Sequence, residues 1–102
     1  MQEIIKATDA TIHEIIRNEI ERLGNTANLN HIDVSAVTNL SALFVNSDFN
    51  GDVSQWDVSN VVDFSYMFKG AAFNGDLSNW NLSSAKNLSV MFQDSEFNQD
   101  LS

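Results

Sequence analysis

The sequence predicts an α/β solenoid: 24-residue coils with short parallel strands and one-turn helices, closed at the N-terminal end by an amphipathic helix. Three observations predict it. A block of 24 residues recurs at one fixed offset from Asp33 onward. The apolar residues of each block follow one frame. The segment before the blocks carries a helical period instead.

The chain has 102 residues, enough for one domain. Residues 1–28 are expected to form the capping helix and its connector, and residues 29–102 the three coils. Asp and Glu number 14 against 5 Lys and Arg, a net charge of −9. That balance argues against a polyanion such as nucleic acid as a partner, because phosphate binding rests on clustered Lys and Arg. The chain has no Cys, which excludes disulfides, thiolate metal sites and Cys nucleophiles. Its start has no basic lead and no long apolar run, so no signal peptide is expected within it and the signal of an exported parent would lie outside it or have been removed; no apolar run reaches membrane-spanning length.

The helix comes first. Ile12, Ile15, Ile16, Ile20 and Leu23 fall on one helical face. Thr11 and Glu14 fit a capping box, with Asp9 as the alternative N-cap. Gly24 stands where a left-handed residue would end the helix. His13, Glu14, Arg17 and Glu21 form the polar face. Residues 2–8 could extend the helix or form a separate strand.

The blocks follow. Copy one runs from Asp33 to Trp56, copy two from Asp57 to Trp80 and copy three from Asn81 to Ser102. Copies one and two agree at 12 of 24 positions, and copies two and three at 9 of 22. A fixed period of this length is the mark of a stacked repeat whose units share one core. Phe44, Phe68 and Phe92 would form one aromatic column, Phe49, Phe73 and Phe97 a second, and Trp56 and Trp80 a third with Ile32 at its head. Within a copy, Val53, Trp56, Val58, Val61 and Phe64 contain the leucine-rich-repeat frame L-x-x-L-x-L. Its alternating part predicts strands near 31–35, 55–59 and 79–83. Segments such as Ser65 to Lys69 predict one helical or 3₁₀ turn.

The phrases from Phe49 to Val61 and from Phe73 to Ser83, with Met67-Phe68 and Met91-Phe92, resemble the repeats of the BspA-like family of bacterial surface proteins. That family was formerly grouped as a mycoplasma domain of unknown function. The resemblance covers about residues 29–102. It implies a leucine-rich-repeat-like solenoid at the cell surface or secreted, adhesive or protein-binding contacts with host macromolecules, and neither catalysis nor a cofactor.

The residues themselves offer little chemistry. His13 and His31 are the only imidazoles, and no nucleophile, phosphate-loop or paired-His motif appears. His31 with Asp33 reads as an exposed pair on one strand face rather than an acid–base couple. Asp52, Asp76 and Asp100 repeat at one position. Each reads as an Asx-turn carboxylate, with a calcium ladder as the weaker alternative. The expected partner-binding surface is the outward strand face: His31, Gln55 and Asn79, then Asp33, Asp57 and Asn81, then Ser35, Ser59 and Ser83. A structural or antigenic spacer without a ligand is the alternative function, and a cation-binding repeat or an enzyme the remote one. Tyr66 and Lys69 are expected on the opposite, more variable side and are an equal alternative for contacting a partner. The C-terminal coil has no cap, so the chain is expected to be a fragment or to self-associate there.

Overall fold

In the computed structural model, which describes residues 3–99, the apolar stripe of the N-terminal segment folds as helix α1, Ile12–Leu23. Ile12 and Ile16 are buried, and Ile15, Ile20 and Leu23 pack half-buried on the same core. Neither expected N-cap operates. The Thr11 hydroxyl accepts the Thr8 N–H at 2.9 Å and leaves the helix uncapped by a side chain. Asp9 reaches across to residues 38–39, accepting the Thr38 N–H and hydroxyl at 2.8 and 2.7 Å and the Asn39 N–H at 3.1 Å. Gly24 ends the helix with φ 91° and ψ 173°, a conformation open to glycine, and its N–H donates to the Ile20 carbonyl. The segment before α1 is a strand: β1, Ile5–Lys6, pairs in parallel with β2, Ile32–Asp33.

The expected α/β solenoid, with its strand and helical turn in every coil, is not the fold. Among the described residues there is one helix and one two-stranded parallel sheet. The body measures 32 × 25 × 23 Å with a radius of gyration of 12.4 Å. That is close to the ~13 Å of a globular domain of this length. Of the three expected strands only the first survives, as the two residues of β2; 55–59 and 79–83 are turns and irregular chain. The one-turn helices are likewise absent among the described residues.

The reason is local. Nine times among the described residues, an Asx–apolar–Ser (once Asx–apolar–Asn) triplet bends the chain, beginning at Asn28, Asp33, Asn39, Asp52, Asp57, Asp63, Asp76, Asn81 and Asn87. In each, the Asx Oδ1 accepts the N–H two residues on, at 2.8–3.1 Å. The apolar residue's carbonyl then accepts the N–H three residues later, as from Val34 to Val37 and from Val53 to Trp56. The apolar-x-x-apolar frame is therefore a turn that sends both its ends inward. Side-chain acceptors that satisfy their own backbone compete with a strand ladder, and here they win. Helical turns fail for another reason: Ala42, Tyr66 and Val90, and again Asn46, Gly70 and Asp94, all have φ between 54° and 66°. A positive φ every fourth residue stops a right-handed helix.

The 24-residue period appears in the packing of side chains and turns. Phe68 stacks between Phe44 and Phe92, with ring centroids 5.4 and 5.5 Å apart. Phe73 stacks between Phe49 and Phe97 at 6.1 and 6.2 Å, and Trp56 on Trp80 at 6.3 Å. Each indole N–H donates to the carbonyl 27 residues earlier, Trp56 to Leu29 at 2.9 Å and Trp80 to Val53 at 3.0 Å. Gly51 is required where two segments touch, because a Cβ there would collide with the Ala27 carbonyl oxygen.

Candidate functional site: a polar face with two related grooves

The residues expected to meet a partner divide into two groups. Gln55, Asp57, Asn79, Asn81 and Ser83 are exposed, and Asp33, Ser35 and Ser59 half-buried. Their backbone is held by the Asx turns. Asp57 Oδ1 accepts the Ser59 hydroxyl at 2.6 Å and its N–H at 3.1 Å, and Asp33 and Asn81 accept the N–H of Ser35 and Ser83. The Ser35 and Ser59 hydrogen bonds, side chain before backbone, hold the Asp33 and Asp57 carboxyls below the usual carboxylate range. Facing Asp33 works the other way on Asp57, through like-charge repulsion.

Two shallow grooves score this face. One, of about 330 Å³, lies among Asn30, Asp33, Gln55 and Asp57. The other, of about 250 Å³, lies among Ser54, Asp57, Asn79 and Asn81. They share Gln55, Trp56 and Asp57 and correspond through the 24-residue offset. Asn30 was not among the expected residues, yet its Oδ1 accepts the Gln55 N–H at 2.9 Å and so fixes the wall between the grooves. Its position, 24 residues before Ser54, was the available signal.

His31 does not belong to this face. It is buried, and its Nε2 lies 2.6 Å from Glu19 Oε1 on α1. Arg22 grips the same carboxylate through Nε at 3.0 Å and Nη2 at 2.8 Å. The Arg22 and His31 hydrogen bonds pull the Glu19 carboxyl down to about 2. The expectation of an exposed His31–Asp33 pair fails because residue 31 precedes the β2 ladder and turns under α1. Glu19, a charged residue on the helix's packed side, gave no sign of this in the apolar period.

Of the acidic series, Asp52 and Asp76 each turn Oδ1 to the N–H of Ser54 and Ser78, at 2.9 and 2.8 Å; Asp100 lies outside the described residues. Among the described residues, no three or more His, Asp or Glu side chains gather closely enough to hold a metal ion. Nor is any described helix long and apolar enough to cross a membrane. No curated protein and no solved structure matches the chain at a significant level. The family described as "Mycoplasma protein of unknown function, DUF285" matches residues 12–102. That match takes in α1 and all three copies, and the chain therefore belongs to the DUF285 family.

Proposed function

We propose that the chain is a non-catalytic binding module of a BspA-like bacterial surface protein, contacting a protein or host-surface macromolecule through the face of Asp33, Gln55, Asp57, Asn79 and Asn81. The observation that carries this reading is the pair of grooves related by the repeat offset. Both are lined by exposed or half-buried acceptors and amides on backbone already fixed by Asx turns. Fixed polar groups lose little freedom on binding, which favours recognition. The placement of the imidazoles fits a non-catalytic role: His13 is exposed on α1, and His31 is enclosed against Glu19. Catalysis asks for an enclosed, convergent site.

The test is adhesion of the intact chain to an epithelial cell layer, compared with the Asp57→Ala/Asn81→Ala double variant. Loss of adhesion with an unchanged melting temperature supports the reading. Equal adhesion by both chains, or none by either, removes it and leaves a spacer role.

A further inference from the structure

Of the nine triplets that bend the chain, five begin with Asp and four with Asn. Either residue holds the turn, because the turn uses only the Oδ1 acceptor. It asks of the third residue only an N–H, which any residue but Pro supplies. Three of the four Asn triplets nevertheless carry a hydroxyl there and read Asn–Leu–Ser: Asn39 to Ser41, Asn81 to Ser83 and Asn87 to Ser89. The fourth, Asn28 to Asn30, makes the same turn without a hydroxyl.

Asn81 is open to approach. It and Ser83 are both exposed. Its counterpart in copy two, Asp57, is exposed as well, although a copy lies on either side of it, so the exposure belongs to the position. Asn81 Oδ1 accepts the Ser83 N–H at 3.0 Å. Asn81 Nδ2 and the Ser83 hydroxyl have no hydrogen-bond partner among the described residues. In two other triplets the hydroxyl is already engaged, Ser59 on Asp57 at 2.6 Å and Ser89 on Asn87 at 2.8 Å.

We infer that Asn81 is a glycosylation site, taking a sugar on Nδ2 from a transferase that reads Asn–x–Ser. An amide nitrogen is a poor nucleophile, because its lone pair is shared with the carbonyl. The Ser83 N–H on Oδ1 stabilises the negative charge that gathers there as the Nδ2 proton leaves for a base of the transferase. Nδ2 then bonds to the anomeric carbon of a sugar carried on a diphosphate. The bond from that carbon to the diphosphate breaks, and its electron pair departs with the diphosphate. The unengaged Ser83 hydroxyl is the handle by which the transferase tells this turn from that of Asn28. Asn81 lines the groove of Gln55, Asp57 and Asn79, whose polar side chains suit the hydroxyls of the first sugar.

The full chain and its variants are produced in the cells that make it, and sugar is read by mass on the tryptic fragment 70–86. In that fragment Asn81 begins the single Asn–x–Ser. A mass gain of at least one sugar, placed on Asn81, is expected. Asn81→Asp keeps the turn oxygen, as at Asp57, so the variant should melt as the wild type does and carry no sugar. Ser83→Ala keeps the N–H and should cut occupancy about tenfold or more, whereas Ser83→Thr should retain it. A bare Asn81 in the wild type overturns the assignment. So does occupancy unmoved by Ser83→Ala, or equal sugar on Asn28.

Discussion

The Glu19 carboxylate and the His31 imidazole share a 2.6 Å hydrogen bond, with only 9% and 7% of their side chains exposed. An ionised carboxylate only accepts, so the imidazole proton sits on Nε2. Nδ1 is buried and has no hydrogen-bond partner among the described residues. The bond ties α1 to the residue that precedes β2. His31→Ala should cost about 2–3 kcal/mol, because it leaves a buried carboxylate short of a donor. Urea denaturation measures it, and a loss below a few tenths of a kcal/mol would show that the bond is not formed in solution.

Stability should also fall with acid. Glu19 has its carboxyl lowered from 4.5 to about 2, first by the Arg22 hydrogen bond and then by that of His31. A group depressed in the folded state stabilises above its unfolded value and loses that contribution as pH falls through the folded one. The window is therefore pH 4.5 down to about 2. Asp9, Asp33, Asp52, Asp57 and Asp76 are lowered too and act in the same direction. Glu19's share is about 2 kcal/mol, less than the full shift because Arg22 is open to solvent. Melting curves of wild type and Glu19→Gln across that window should converge toward low pH.

The aromatic stacks should not weigh equally. Phe68 is fully buried between two rings, and Phe92 is half-buried at the end of its stack. Phe68→Ala should cost about 3–5 kcal/mol through lost burial and a cavity between the neighbours. Phe92→Ala should cost about half as much, since its site is already open on one side. Equal losses on thermal or urea unfolding would contradict the packing described.

Much of this was legible in the residues. The helical stripe of Ile12 to Leu23 and the three aromatic files are set by apolar spacing, which the chain displays openly. The architecture built from them was misjudged. Alternation around Trp56 and Val58 has the period of a strand, and the Asp and Ser beside them looked like its solvent face. Those polar residues instead bend the backbone, and nothing in apolar periodicity carries that information. The place of His31 was illegible for a different reason: Glu19, its partner, lies twelve residues back on another element, and local spacing carries no sign of that contact.

Val90 offers a gain. It is a β-branched residue at φ 59°, a conformation that costs such side chains about 1–2 kcal/mol. Asn tolerates that region, so Val90→Asn should raise stability by about 0.5–1 kcal/mol. A lower melting temperature for the variant would show that the Val side chain contributes more by packing than its backbone loses.

Calcium should leave the fold unmoved. Asp52 and Asp76 already direct an oxygen into their own turns, at Ser54 and Ser78. Melting in millimolar calcium and again in chelator should give one midpoint. A rise with calcium would restore the cation ladder and bring Asp100 into it.

The one-way donation from residues 40–46 to 63–69, and from 64–70 to 87–93, lines up peptide dipoles across the core. Such an array gives the core a local electrical sense: within each pairing the N–H groups point away from the α1 side and the carbonyls point back toward it, so the peptide dipoles of residues 40–46 and 64–70 add rather than cancel, inside a protein whose net charge is −9.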